Sequence, residues 1–326
     1  MRIAVLGAGA WGTALAITFA GKHAVNLWAR AEDCPSEMAH ARENRRFLPG
    51  FPFPASLQVE PDLAAALARA DLAILAAPLA GFRGLLEQFR ELAPELSFLW
   101  VCKGLEAGSG LLPHQIVAAV GGNVPCGVLT GPSFALEVAR GLPTAVALAS
   151  RDAAFAADTA KALHGGSLRI YAHEDLIGAE VGGAVKNVLA IATGICDGLG
   201  LGLNARAALI TRGLSEITRL GEALGARRET FMGLAGVGDL ILTCTGDLSR
   251  NRQVGLRLAE GLALDDIVRQ LGHVAEGVPA AREVARRADQ LGIDMPITRA
   301  VAAVLDGRIA PRAAVEQLMA RDAKHE

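Results

Sequence analysis

The sequence predicts an α/β chain: a doubly wound, largely parallel sheet over the first half, followed by an all-helical C-terminal domain. Three observations carry this. Short continuous apolar runs alternate with helical stretches as far as about residue 175. The first run leads directly into a turn with three glycines that opens a small-residue helix. Beyond that point only helical periodicity persists, with glycines between the stretches. The expected domains are residues 1–179 and 180–326.

Taken in order, residues 2–6 form a buried strand, because an uninterrupted apolar run suits a parallel sheet covered on both faces. Gly7, Gly9 and Gly12 follow, then a helix over about 10–20 and a strand over about 25–28. Further strands are expected near 72–76, 98–102, 126–130, 144–149 and 168–171, with the last two open to an antiparallel direction. Helices are expected over 62–70, 81–92, 112–120 and 152–164. The proline-rich residues 47–54 read as an extended surface connection, since proline lacks a donor and restricts its predecessor. In the second half, helices are expected over 175–195, 205–224, 250–261, 264–271, 280–291, 297–306 and 311–320, with Pro296 and Pro311 suited to helix starts.

Composition removes several classes of function. The chain has 326 residues, is 52% hydrophobic and 20% charged, and is therefore not a disordered polymer. A net charge of −2 gives no basic footprint for nucleic acid. The uncharged residues 3–21 contain three glycines and run straight into a second strand, so they read as fold rather than as a targeting segment. No later run approaches about 18 uninterrupted apolar residues, so no membrane span is expected. The five cysteines (Cys34, Cys102, Cys126, Cys196 and Cys244) include no Cys-x-x-Cys pair and suit free thiols in a reducing cytoplasm. The seven histidines lack the spacing of a helical metal site, and no metal is expected.

The glycine turn is read as a dinucleotide site. Gly7 permits the tight turn, Gly9 lets a pyrophosphate approach the backbone, and Gly12 lets helix and strand pack closely. Free amides at the helix start and the helix dipole favour the diphosphate. Ligands of such a Rossmann-like sheet sit beyond the carboxyl ends of its strands. Arg30, Lys103 and the Gly131-Pro-Ser133 turn all follow strands. Arg30 is either a solvated arginine or a partner for the extra phosphate of NADP, with Glu32 and Asp33 nearby leaving NAD open. Lys103 either snorkels to solvent or reaches a cleft. Ser133 is expected to cap the following helix, and its turn could also present amides to a substrate. Lys186 is the only formally charged residue between Glu180 and Asp197. It shares a helical face with Gly183, Ala190 and Thr193, which reads as either a buried ion pair or a general acid/base. Asp239, beside a glycine-rich bend, is either a helix cap or an orienter of that lysine. The Ser249-Arg-Asn-Arg252 cluster suits phosphate, although Ser249 could simply cap a helix.

Together these residues resemble the bacterial NAD(P)-dependent glycerol-3-phosphate dehydrogenase family. The likeness runs through Gly7-Ala-Gly-Ala-Trp-Gly-Thr13, Lys103-Gly-Leu-Glu106, Gly131-Pro-Ser-Phe-Ala135 and Gly182-Gly-Ala-Val-Lys-Asn187. It continues through Asn204-Ala-Arg-Ala-Ala-Leu-Ile-Thr-Arg-Gly-Leu214, Gly233-Leu-Ala-Gly-Val-Gly-Asp-Leu240, Ser249-Arg-Asn-Arg252 and Val274-Ala-Glu-Gly277. One departure is the connection at residues 21–25, about one residue shorter than the family's. The resemblance implies reversible reduction of dihydroxyacetone phosphate to sn-glycerol 3-phosphate with NAD(P)H, supplying phospholipid synthesis in the cytoplasm. It implies Lys186 as proton donor in that direction, supported by Lys103 and Asp239. Gly131, Ser133, Ser249, Arg250 and Asn251, with Lys103, Lys186 and Asp239, match substrate positions. Ala10, Trp11, Arg30, Lys103, Ala135, Arg250, Val274 and Glu276 match cofactor positions beside Gly7, Gly9 and Gly12. Oligomeric state stays open, with a homodimer among the options. The rival readings are another two-domain β-hydroxyacid or ketoacid dehydrogenase, and a non-catalytic module that senses nucleotide redox state.

Overall fold

The structure, a computed structural model, describes residues 1–271 and 275–322. These residues form two compact units. The first comprises Met1–Lys103 and Leu112–Ala179, and the second comprises Gly104–Leu111 and the chain from Glu180 onward. An internal stretch of eight residues thus joins the second unit before the chain returns to the first.

The first unit holds an eight-stranded sheet of β1 (Arg2–Leu6), β2 (Ala24–Trp28), β3 (Leu57–Glu60), β4 (Leu72–Leu75), β5 (Phe98–Trp100), β6 (Cys126–Thr130), β7 (Thr144–Ala149) and β8 (Leu168–His173), in the order β3-β2-β1-β4-β5-β6-β7-β8. The first six strands are parallel; β6 and β7 pair antiparallel, and β8 runs parallel to β7. Strand order therefore reverses between β1 and β4, which places a switch point at the end of β1.

Both faces of the sheet are covered, which is why its strands read as solid apolar runs. On one face Ile3, Val5, Leu27, Ile74 and Leu99 pack with Leu15 and Phe19 of the helix Ala10–Ala20 and with Ala156, Ala160 and Leu163 of the helix Ala153–Leu163. On the other, Phe98 and Trp100 meet Phe89 and Phe82 of the helix Leu79–Leu92, with ring centroids 5.1 and 6.2 Å apart. Tilted and edge-on aromatic contacts of this kind contribute beyond the area they bury.

Three features depart from the sequence expectation, one of them the short helix Pro35–Ala41. The edge strand β3 was not expected; it is short, and its Gln58 is exposed. Residues 47–54 are extended only in part: 47–50 turn, Pro52 then forms an isolated antiparallel bridge with Glu43, and Leu48 and Phe53 are buried rather than at the surface. The carbonyls of Phe53 and Pro54, and of Leu57 beyond them, accept hydrogen bonds from Arg42.

The second unit is helical. The helix Leu176–Gly198 begins in the first unit and runs into the second, followed by Gly202–Ala223, Asp239–Thr245, Arg250–Ala259, Leu264–Leu271, Gly277–Gln290, Pro296–Leu305 and Pro311–Met319. Pro296 and Pro311 occupy first-turn positions, where a missing N–H costs nothing. Among the described residues one helix, Leu176–Gly198, is long and apolar enough to cross a membrane, and 94% of its apolar window is buried inside the protein.

Candidate active site

In the first unit, Gly7 follows β1 with φ +124°, a conformation that disfavours any side chain, and a Cβ there would lie 2.7 Å from the Ala76 carbonyl oxygen. A Cβ at Gly12 would lie 2.0 Å from the Gly7 carbonyl oxygen, so the helix can approach its strand only as glycine. At Gly9 a Cβ would meet nothing within 4 Å. The helix Ala10–Ala20 starts at Gly9 with no side-chain cap and no acidic residue in its first turn. Its leading amides are thus available to an anion, and the residues fit a diphosphate.

Asn44 secures this turn, and nothing in its local sequence marked it. Fully buried, it donates from Nδ2 to the Ala8 carbonyl at 2.7 Å and to Thr13 Oγ1 at 2.8 Å, and it accepts from the Phe47 amide at 3.1 Å. Trp11 and Ala135 pack into one small apolar group with Ala14, Leu48 and Val138, so these two positions share a neighbourhood beside Ala10. The Gly7 amide donates to the Trp28 carbonyl at 3.0 Å, placing the end of β2 beside the turn. Arg30 follows, with Nη1 2.7 Å from Glu32 and Nε 3.2 Å from Asp33.

Past the ends of β5 and β6, Lys103 Nζ donates to the Gly131 carbonyl at 3.4 Å. Ser133 does not cap the next helix: the cap position is Phe134, with no side-chain bond, and the Ser133 hydroxyl instead donates to the Gly131 carbonyl at 3.0 Å. Two site candidates therefore converge on one carbonyl. Beside it, the buried hydroxyl of Thr130 has no partner among the described residues, a state that costs about 1–3 kcal/mol unless something else supplies one.

In the second unit Lys186 and Asp239, 53 residues apart in sequence, meet with Nζ 2.5 Å from Oδ1. Both are buried, at 8% and 1% side-chain exposure. Thr243 completes the group: its Oγ1 accepts from Lys186 Nζ at 3.0 Å and donates to the Asp239 carbonyl at 2.6 Å. Two glycines of the lysine's helix let neighbouring backbone come close, Gly182 one turn before the lysine and Gly194 two turns after it. A Cβ at Gly182 would lie 2.2 Å from the Ala235 carbonyl oxygen, and one at Gly194 would lie 2.1 Å from the Arg252 carbonyl oxygen. Backbone thus packs directly against the helix that carries the lysine. Asp239 is the first residue of its helix, delivered by a wide turn at Leu234–Gly238, and is not the cap. Nearby, burial pushes the Cys244 thiol up to about 12, only partly opposed by a hydrogen bond with Thr193 and the Lys186 charge.

Ser249 is buried and caps the helix Arg250–Ala259 by accepting from the Arg252 amide at 3.2 Å. Arg252 is held by Asp197 and Asp247 at 2.8 and 3.0 Å, which makes it a structural cross-link. Arg250 is exposed. Asn251 joins three elements: Nδ2 donates to Asn187 Oδ1 at 3.0 Å, and Oδ1 accepts from the Gly277 amide at 2.9 Å. That second bond fixes the chain next to Glu276, the residue preceding the helix Gly277–Gln290. Val274 lies outside the described residues.

Residues 2–156 match the model of the NAD-dependent glycerol-3-phosphate dehydrogenase N-terminus, and residues 175–316 match that of its C-terminus. The chain belongs to the NAD-dependent glycerol-3-phosphate dehydrogenase family. A glycerol-3-phosphate dehydrogenase [NAD(P)+] from Dechloromonas aromatica (strain RCB) is 63% identical over 327 residues, spanning 100% of this chain and 99% of the relative. The Aromatoleum aromaticum relative of the same name is 59% identical, with both chains covered completely. The crystal structure of glycerol-3-phosphate dehydrogenase from Coxiella burnetii superposes with a TM-score of 0.94 at 45% identity, covering 98% of this chain and 99% of that one. The Rossmann-like sheet and helical C-terminal half are therefore those of this dehydrogenase family, whose members use NAD or NADP.

Proposed function

We propose that this chain reduces dihydroxyacetone phosphate to sn-glycerol 3-phosphate, reversibly, with NADH or NADPH, and so supplies a glycerophospholipid precursor. The observation that carries this reading is the buried Lys186–Asp239–Thr243 group within a chain of this family. The nicotinamide cofactor, when bound, supplies the hydride. Everything else falls to the chain's own residues. Negative charge grows on the substrate oxygen as its carbon is reduced, and the Lys186 ammonium donates the proton that neutralises it. Asp239 holds that ammonium by charge, while Thr243 fixes its direction with a lone pair, since the hydroxyl proton is already committed to the Asp239 carbonyl.

Gly7, Gly9, Ala10, Trp11 and Gly12 would hold the cofactor's diphosphate end, with Ala135 alongside Trp11 and Glu276 and Val274 as further contacts. Lys103, with Gly131 and Ser133, is assigned to both cofactor and substrate. Arg250 takes the substrate phosphate, for which its planar fork and exposure suit it. Ser249 and Asn251 contribute beside it, Asn251 having committed only one of its two N–H donors. Residues 1–179 are read as the nucleotide domain and 180–326 as the substrate domain. The substrate is small and phosphorylated, and five cysteines that form no disulfide among the described residues suit a reducing, cytoplasmic setting.

The test is a substrate panel followed by NAD(P)H absorbance, comparing dihydroxyacetone phosphate with a set of ketoacids, run once with NADH and once with NADPH. Lys186→Ala is expected to lose about 10²–10⁴-fold in kcat with cofactor affinity retained. Preference for a ketoacid, or near-normal turnover by folded Lys186→Ala protein, overturns the assignment.

A further inference from the structure

The residues following β2 contain more than the single arginine that the sequence draws attention to. Asp33 is 7% exposed, and each of its carboxylate oxygens faces a different guanidinium. Oδ2 lies 3.2 Å from Arg30 Nε, and Oδ1 lies 3.4 Å from Arg46 Nη1. Arg46 is fastened again through the Glu32 carbonyl at 3.0 Å, and its guanidinium lies over the Phe47 ring at 4.8 Å. Both arginines are 59% exposed, so their remaining N–H groups face solvent.

Both arms are also tied to the glycine turn. The end of β2 is bonded to it through Gly7 and Trp28, and the segment carrying Arg46 is bonded to it through Asn44, two residues earlier. In an open parallel sheet with this turn, the residues after the second strand read the adenosine ribose of a bound dinucleotide. Two guanidinium groups flank that position here. Asp33, being buried, acts as the fixed brace between them. Glu32 is different: it is 67% exposed and pairs with Arg30 Nη1 at 2.7 Å, so it competes for the donor that an incoming phosphate would use.

We infer that Arg46 is a specificity-determining residue of this enzyme, the second guanidinium of a clamp for the cofactor's 2′-phosphate, with Asp33 as its positioning residue and Glu32 as the competitor that keeps NADH acceptable. The inference rests on the dinucleotide reading of the glycine turn. A phosphate dianion between two forks receives charge-assisted hydrogen bonds from both, whereas a bare ribose hydroxyl gains little from either. The result is a site that admits both cofactors and is tuned by the balance of Arg46 against Glu32.

The test measures NADPH and NADH dissociation constants by nicotinamide fluorescence, with ADP-ribose binding by calorimetry as a probe that cannot react. Arg46→Ala is expected to weaken NADPH about 10-fold, the loss of one charge-assisted hydrogen bond, while NADH and ADP-ribose stay within about 2-fold. Glu32→Gln should move the NADPH-to-NADH affinity ratio the opposite way. If Arg46 merely staples the loop, Arg46→Ala weakens all three ligands equally, and that result overturns the proposal while leaving the glycine-turn reading intact. If the wild-type enzyme binds neither ADP-ribose nor either nicotinamide dinucleotide, the glycine-turn reading falls and takes this proposal with it.

Discussion

Replacing Asp239 by alanine removes the carboxylate that faces the Lys186 ammonium inside the second unit. The pair is buried on both sides, at 8% and 1% side-chain exposure, so bulk solvent screens the remaining charge poorly. Thr243 remains as an acceptor, but a hydroxyl carries no countercharge. Breaking a buried pair by removing one partner typically costs about 3–5 kcal/mol, a large share of the roughly 5–15 kcal/mol that stabilises a folded protein. Urea unfolding followed by circular dichroism should show a loss in that range for Asp239→Ala, together with a fall in turnover by NAD(P)H absorbance. Lys186→Met with Asp239→Leu should recover much of the stability, since an apolar pair of similar volume leaves no buried charge, but none of the activity. A loss below about 1 kcal/mol for Asp239→Ala would mean that the pair behaves like a surface ion pair, and the reasoning from burial would be wrong.

Other outcomes follow from the same geometry. Gly12→Ala should destabilise the first unit by about 1–3 kcal/mol or more, because its Cβ would lie 2.0 Å from a carbonyl oxygen, whereas Gly9→Ala should keep its Tm and lose cofactor affinity; equal effects on folding would refute the division of labour. Burial raises the Glu216 carboxyl above the usual range, opposed by bonds from the Ile297 and Thr298 amides and the Thr298 hydroxyl. The folded state then holds that proton more tightly than the unfolded state, so this contribution to stability is complete below the ordinary glutamate value and is lost as pH rises through the raised one. Glu216→Gln should flatten the slope of stability against pH in that window, and an unchanged slope would count against the assignment. Iodoacetamide should label exposed Cys34 in the native protein and reach buried Cys244 only after unfolding, because its neutral thiol is a poor nucleophile; comparable native rates by mass spectrometry would contradict this.

What the sequence made legible depended on whether the signal was local. Strands such as β1, β4 and β5 are solid apolar runs because helices cover both faces, and no turn chemistry interrupts them. β3 is not legible in the sequence because it is a four-residue edge strand with polar Gln58 and Glu60, which gives neither a run nor a long alternation. The glycine turn was readable residue by residue, since each glycine answers a backbone constraint set within a few positions. Asn44 and Arg46 were not, because their meaning lies in contacts with Ala8, Thr13 and Asp33 that the chain brings close only by folding. The failed cap at Ser133 is a similar case: the hydroxyl had two local options, and the Gly131 carbonyl, shared with Lys103, won. Lys186 stood out because a lone charge on an apolar helix demands a partner. Asp239 could be named as a candidate, but its distance could not.

The eight residues Gly104–Leu111 give the chain an unusual wiring. Having left β5 it enters the second unit, where the Gly108 amide donates to Glu283 at 3.0 Å and the Gly108 carbonyl accepts from Arg286 at 3.2 Å, before Leu112 resumes the first unit. The polypeptide therefore crosses between its units three times rather than once. A cut after residue 179 does not follow the division into units: the C-terminal fragment lacks the loop that Glu283 and Arg286 bind, and the N-terminal fragment carries that loop without those two residues. Gene fusions, split-protein reporters or domain swaps between relatives would have to move 104–111 together with the C-terminal half.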